Sequence, residues 1–488
     1  MSNSRELHQT KLTDPLELFV DPSARRSITR SIYRQLRDAI ASGRVAPGDR
    51  LPPTRELAAQ LGVSRHTVTT VYDQLVGEGY LRGRAGGGTF VNPASPRGVP
   101  ACVPSTATAA IEPTMARLPP ITPRFDLRPG APDHRLFPTV EWRRCILAAL
   151  QRPPGGYGDA AGLPALREAI AHWIGRSRGL DASAGQIVVT SGAQQAIDLI
   201  LRLLVRPGDI VAVEEPGYEP VMQLCAVIGA DIRPVPVDSE GLEVDRIPPR
   251  TRLVYTTPAH QFPTGAVMSL PRRLALLDHA ARHDIIVIED DYDSEYRHVA
   301  RPLEPLQRLD RNERVIYVDT FSKTLSPALR LGFAVLPRTV TQPFIELRQL
   351  SDWQPAEPVQ TAMARFIADG HLSRHLRRTR KIYSERHRVV SQFLSHAAEQ
   401  RWIEGFTPTC AGLHITATLH RGTDEDAVRK LAEEAGVAVG SFAECWLTED
   451  PPPGLVIGFG SIANDQLPDA LELLAKACYM RVRAEVGS

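Results

Sequence analysis

The chain has 488 residues, 43% of them apolar and 23% charged, with a formal net charge of +1; that length excludes a single core and calls for two or three domains of ordinary globular composition. Six scattered cysteines without a C-x-x-C pair or zinc-type spacing argue against a disulfide framework and fit a reducing compartment. The polar N-terminus carries no apolar signal region, and the apolar run over 197–205 is short and broken by Asp198 and Arg202, so a cytoplasmic protein that crosses no membrane is expected.

Charge is unevenly spread along the chain. From Arg25 to Val91 eleven arginines stand against five acids, a net of +6, which is either a solvated face or the electrostatic footprint of a nucleic-acid partner. Apolar residues at helical spacing (Ile28, Ile32, Leu36, Ile40) predict a first helix. A turn follows, then a short helix over Arg55–Leu61 ended by Gly62, then a helix over Arg65–Val76 that Ser64 can cap. In that last helix Val68, Val71, Tyr72 and Leu75 form one apolar stripe, while Arg65, His66, Thr67, Thr69 and Thr70 point elsewhere. Two helices around a tight turn, the second with a polar N-terminus, read as a helix-turn-helix whose second helix enters a major groove. Residues 79–91 then read as two short strands around a glycine-rich tip flanked by Arg82 and Arg84.

The string LPPTRELAAQLGVSRHTVTTVYDQLVGEGYLRGRAGGGTFV closely resembles the GntR-type winged helix. That resemblance implies double-stranded operator DNA as a partner, with Arg55, Ser64, Arg65, Thr67 and the wing at Gly87 as contacts. His66 and Thr69 stand where members of the family vary, which is where sequence preference is expected. The head is bounded at 15–91. A proline-rich segment over 92–123 without helical or alternating period reads as a semi-extended linker, able to span up to ~90 Å if fully extended.

The body, 124–488, alternates short apolar runs with amphipathic stretches. Strands are predicted at 186–190, 210–213, 253–255, 285–288 and 315–318, with helices such as 192–204 and 271–282 between them. Runs apolar on both faces and separated by helices indicate an α/β fold with a parallel sheet covered on both sides. Glycine and polar residues cluster just after the strands, where open α/β sheets place ligands.

One of those polar residues is a lysine. Only five lysines occur among 57 basic residues, and Lys323 follows the strand 315–318 in VDTFSKTLSPALRLG. A surface charge can be arginine; an amine that must lose its proton and attack a carbonyl cannot. A Schiff base with an aldehyde cofactor would need further parts, and each has a candidate. Asp290 would keep a pyridine nitrogen protonated, and Tyr292 would bond the ring oxygen. Ser191, Gly192, Ala193 and Gln194 open a helix that can hold a phosphate, Arg330 would add charge-assisted bonds, and Tyr218 would cover the ring.

These residues, in this order, resemble the fold-type-I, class I aminotransferases, with TFSK…LR as the lysine signature. FDLRPGAPDHRLFP, GGYGDAAGLPALREAIAHWI, TTPAHQFPTG and IEDDYDSEYR are similar to segments of the MocR/GabR group, which fuses a GntR-type head to such a body. The resemblance implies a parallel-rich sheet with helices on both faces (large part about 150–350) and a smaller C-terminal α/β subdomain (about 365–488). It implies pyridoxal 5'-phosphate as an internal aldimine on Lys323, with Thr320 of the signature among the cofactor contacts. It also implies a homodimer in which Tyr157 reaches the phosphate of the other subunit. The sequence departs from ordinary aminotransferases twice. Phe262 stands in place of the asparagine of N-P-T-G, and Val456 in place of the arginine that grips a substrate carboxylate. The expected function is therefore a transcription regulator sensing an amine, an amino acid or the cofactor itself, with weak or vestigial turnover. The alternative is a working aminotransferase with a DNA-binding head.

Overall fold

The computed structural model describes residue 18 and residues 28–84, 87–94, 123–151, 155–298 and 304–486; most of the expected linker lies outside them. The chain divides into two compact units, Met1–Thr114 and Met115–Ser488.

In the first unit, helices α1 (Ile28–Ala41), α2 (Thr54–Leu61) and α3 (Arg65–Gly77) precede an antiparallel hairpin, β1 (Leu81–Arg84) and β2 (Gly88–Val91). The apolar spacing of α1 and the stripe on α3 meet in one core, where Ile32, Leu36, Val68, Val71 and Leu75 are fully buried. Gly62 ends α2 in the left-handed conformation (φ 64°), which costs glycine least. Ser64 starts α3 as the sequence suggests: its Oγ accepts the Thr67 N–H at 3.1 Å. Tyr72 Oη donates to Pro52 O at 2.9 Å and ties α3 to the turn before α2.

The second unit begins with β3 (Phe125–Leu127), α4 (Thr139–Ala149) and α5 (Pro164–Arg178). Its main sheet is then built from β4 (Ile187–Thr190), α6 (Ala193–Leu204), β5 (Ile210–Glu215), α7 (Glu219–Ile228), β6 (Asp231–Asp238), β7 (Gly241–Leu242), β8 (Thr251–Thr256), α8 (Leu270–His283), β9 (Ile286–Asp290), α9 (Leu306–Leu309), β10 (Val315–Thr320) and β11 (Gly332–Val335). The strand order is β4-β11-β10-β9-β8-β5-β6-β7. β10, β9, β8, β5 and β6 run parallel, whereas β11 is antiparallel to both β10 and β4. Alternate residues serve opposite faces: Ile187 and Val189 join one core with Leu166 and Ile170 of α5, and Val188 joins another with Ile197 and Ile200 of α6. This is why the strands are apolar throughout rather than alternating.

Helices α10 (Arg338–Asp352), α11 (Glu357–Ala368) and α12 (His371–Glu399) lead to a second sheet made from β12 (Gly405–Phe406), β13 (His414–Thr418), α13 (Glu425–Glu434), β14 (Val437–Ser441), β15 (Gly454–Gly458) and α14 (Leu467–Val486). Its order is β12-β13-β15-β14-β3, with β3 parallel to β14. Residues 125–127 thus join a sheet otherwise drawn from the last fifth of the chain. The C-terminal ends of β4, β5, β8, β9 and β10 share one edge of the main sheet, and Thr190, Glu215, Thr256, Asp290 and Thr320 sit there.

Removing the α3 cap with Ser64→Ala is expected to cost about 1 kcal/mol of head stability. Hydrogen exchange of the first-turn amides of α3 in the full chain measures it; Ser64→Asp should restore protection, and unchanged exchange in the alanine variant would contradict the capping role.

Candidate functional site

Lys323 lies in the turn after β10, half-buried, and its Nζ donates to Gly130 O at 2.6 Å. Gly130 has φ 106°, and a Cβ there would stand 3.3 Å from the Lys323 Nζ; a bare backbone lets the amine approach. Burial lowers the Lys323 pKa below that of a free lysine, against the opposing pull of Asp293 and Asp290. An amine with a depressed pKa is the form that can attack a carbonyl.

Asp290 ends β9, 4% exposed. Its Oδ2 accepts the Tyr255 hydroxyl at 2.7 Å, while Oδ1 is buried with no partner. Burial is the largest influence on this carboxyl and drives it up to about 7, outweighing the Tyr255 bond. A buried carboxylate oxygen left unpaired is costly unless something cationic completes it; a protonated pyridine nitrogen has the required charge and single N–H. Tyr255 was not anticipated from the sequence, although a tyrosine next to the last residue of β8, the strand beside Asp290's, is the visible trace of it.

The remaining residues expected around the cofactor fall into three places. Ser191 to Gln194 form the entrance to α6: Gly192 (φ 101°) precedes it, and a Cβ there would lie 3.5 Å from the Arg330 guanidinium. The Ser191 N–H donates to Gln195 Oε1 at 2.8 Å, a contact the sequence did not signal. Arg330 (φ 49°) is thus brought to the helix end, where N–H groups and a guanidinium converge as an anion site. Thr320, 5% exposed, donates to Ser322 Oγ at 2.9 Å and braces the turn that carries Lys323.

Tyr218 and Tyr292 occupy the second place. Tyr218 packs edge-on against Phe262 (centroids 5.8 Å apart), and burial pushes its hydroxyl up to about 12. Phe262 also faces Tyr292 at 6.3 Å and His414 at 5.2 Å, so aromatic rings surround it. Tyr292 Oη lies 3.0 Å from His260 Nδ1, which in turn lies 3.0 Å from Asp293 Oδ1. Gln261, next to His260, joins the loops after β5 and β8 by donating its Nε2 to Pro216 O at 2.8 Å.

Tyr157 lies apart. It is 77% exposed and stacks on Trp353 with centroids 4.3 Å apart. Val456 is fully buried in the middle of β15, paired with Thr416 and Gly440.

On the head, Arg55, Ser64, Arg65 and His66 are exposed at the start of α2 and α3, and Thr67 and Gly87 are partly exposed. Arg65 Nε reaches Thr54 Oγ1 at 3.4 Å, which holds the guanidinium near the helix entrance. Arg50, passed over in the sequence, lies against the wing: a Cβ on Gly88 would be 3.0 Å from its Nε. Arg84 lies over the Phe90 ring at 5.3 Å.

Comparison with known proteins adds to this geometry. Residues 129–456 match the family described as Aminotransferase class I and II, and residues 28–91 match Bacterial regulatory proteins, gntR family. The probable rhizopine catabolism regulatory protein MocR of Rhizobium meliloti is 35% identical over 475 residues, covering 94% of this chain and 95% of that protein. The HTH-type pyridoxine biosynthesis transcriptional regulator PdxR of Corynebacterium glutamicum is 34% identical over 452 residues, covering 93% and 96%. The crystal structure of a kynurenine aminotransferase of Pyrococcus horikoshii superposes with a TM-score of 0.67 at 29% identity, over 73% of this chain and 91% of that one. Among the described residues no helix is long and apolar enough to cross a membrane.

The raised Asp290 pKa makes a stability prediction. Between pH ~4, where an unfolded aspartate titrates, and about 7, the folded cofactor-free protein holds a proton that the unfolded chain has lost. This group's contribution therefore falls as pH rises through that window. Asp290→Asn should be more stable than wild type at pH 8 by on the order of a few kcal/mol and equal to it at pH 4. Urea denaturation of cofactor-free protein across this range checks it; a less stable asparagine variant at pH 8 would contradict the burial argument.

Proposed function

Because this chain belongs to the family of HTH-type transcriptional regulators that join a GntR-type head to an aminotransferase class I and II body, we propose that its body holds pyridoxal 5'-phosphate at Lys323 and senses a primary amine while its head reads operator DNA. The unpartnered Oδ1 of Asp290, the bare Gly192 beside the Arg330 guanidinium and the proton-poor amine of Lys323 fit that cofactor. When bound, it supplies an aldehyde carbon open to amines and a ring that accepts electrons.

The chain's own residues divide the work. Lys323 would be the amine that bonds the cofactor's aldehyde carbon, the position open to a primary-amine effector. Asp290 would keep the ring nitrogen protonated, with Tyr255 orienting its other oxygen. The N–H groups opening α6, together with Arg330, would hold the phosphate; Thr320 braces the lysine turn; Tyr218 would shield the ring from water. Tyr157, exposed beside Trp353, is available to a second copy, which supports a homodimer in which it reaches the neighbouring phosphate.

The observation that carries regulation over turnover is Val456. The parts that hold a cofactor are present, but an apolar side chain stands where ordinary aminotransferases grip the substrate carboxylate with arginine. Each charged hydrogen bond of such a pair contributes roughly 1.5–3 kcal/mol. Without it an amine effector would lack the charged partner that fixes a substrate for turnover, while Lys323 and the residues around it would still hold the cofactor. That combination suits a sensor. For the signal to reach DNA, the effector must bind one arrangement of the protein more tightly than another.

A gel-shift series on the protein's own upstream DNA, with cofactor and a panel of amines and amino acids, tests this. At least one amine should change the affinity of wild type, and Lys323→Ala should bind DNA without responding to any. An amine response that survives in Lys323→Ala would refute covalent sensing, and steady keto-acid formation from an amine and 2-oxoglutarate would favour a working aminotransferase. On the head, Arg65→Ala should cost about 1–3 kcal/mol on the operator and less on random DNA; equal losses would reduce Arg65 to a phosphate contact.

A further inference from the structure

The buried His260 and Asp293 and the half-buried Tyr292 are not needed by the reading above in any assigned role beyond the tyrosine's, yet they form one hydrogen-bonded chain near Lys323. The side chains of His260 and Asp293 are 1% and 3% exposed. Asp293 is fixed from its other oxygen, since Oδ2 accepts the Leu413 N–H at 3.1 Å. The His260 ring is fixed by shape: a Cβ on Gly412 would stand 1.9 Å from its Cε1, so only glycine lets that backbone close over it. His414 lies on the far side, ring centroids 4.8 Å apart, with its own Nε2 on Pro263 O at 3.1 Å.

The tautomer follows from donors and acceptors. A carboxylate only accepts, so the 3.0 Å contact with Asp293 Oδ1 puts the His260 proton on Nδ1. Nε2 is then the bare nitrogen, in keeping with its being buried and without a partner. An Nδ1 that carries a proton has no lone pair to offer Tyr292, whose Oη lies 3.0 Å away. The tyrosine oxygen can share the His260 proton as an acceptor, but its own O–H has to be donated elsewhere. No other partner for that hydroxyl occurs among the described residues, and Asp290, which also acts on Lys323, is close enough to influence it.

We propose that Asp293 and His260 are positioning residues that make Tyr292 an obligate donor toward the ring oxygen of the cofactor, in place of the amide that Phe262 has replaced. The inference rests on the cofactor reading of the site and names the device that tunes it. A donor on the ring oxygen stabilises its anionic form and so lowers the pH at which the neighbouring imine nitrogen releases its proton. The charged and titratable groups facing this chain are Asp290 and Asp291 beside it, Glu214 near the end of β5, Lys323 close to Asp293, and His298, His387 and His414 around His260. All stay in place in the variants below, so a shift reports the altered link.

The test is the pH titration of the visible absorption band of cofactor-loaded protein. Tyr292→Phe should raise the midpoint by about one unit or more. His260→Phe should raise it in the same direction, and the double variant should match Tyr292→Phe alone, because both remove one path. Asp293→Asn, which keeps volume and can donate to Nδ1, should shift the midpoint the same way, while His260→Asn should recover part of the wild-type value. Overturning results are a His260→Phe midpoint equal to wild type, or shifts that add in the double variant. Should wild type itself show no such band, the cofactor reading fails, and this inference with it; a normal band with unmoved midpoints would sink only the present proposal.

Discussion

An incomplete carboxylate at the end of β9 sets the terms for the whole body. Asp290 is enclosed by protein, supported on one oxygen by Tyr255 and on the other by nothing. Such a group is unstable as an isolated charge and tolerable as a neutral acid, hence its upward shift. It becomes favourable only with a cation lodged against it. Lys323 is close enough to be influenced by this acid, yet its amine is engaged by Gly130 O instead. A site that keeps its acid and its amine from neutralising each other is prepared for a third group between them.

The edge of the parallel sheet makes that possible. Strands β4, β8, β9 and β10 deliver Ser191, Tyr255, Asp290 and Lys323 to one rim at or just past their C-terminal ends, with the α6 entrance pointing its N–H groups the same way. In this chain Phe262, in the loop after β8, and Val456, buried in β15 of the second sheet, stand at the two positions where the sequence departs from ordinary aminotransferases. Behind Tyr292 the hydrogen-bonded pair His260 and Asp293 is buried.

Much of this was legible in the sequence because local rules and tertiary structure agree there. The stripe on α3 is a matter of period, and all four of its apolar residues are buried. The five predicted strands occur because apolar runs between amphipathic helices have few other solutions. Lys323 stood out through the scarcity of lysine, and Asp290 through its place after a strand. Three features were not legible. β11 runs against its neighbours and lies between β10 and β4, an order that no local pattern encodes. β3 joins a sheet formed some three hundred residues later in the chain. The pairing of His260 with Asp293 depends on the close approach of two loops that Gly412 permits, and only the folded backbone shows it.

The most direct measurement is mass spectrometry of protein loaded with pyridoxal 5'-phosphate, reduced with borohydride and digested. The account predicts that the peptide carrying TFSK gains the phosphopyridoxyl group on Lys323 and that no other lysine does so stoichiometrically. An unmodified Lys323 peptide at saturating cofactor would contradict it and leave the body as a scaffold for the DNA-binding head.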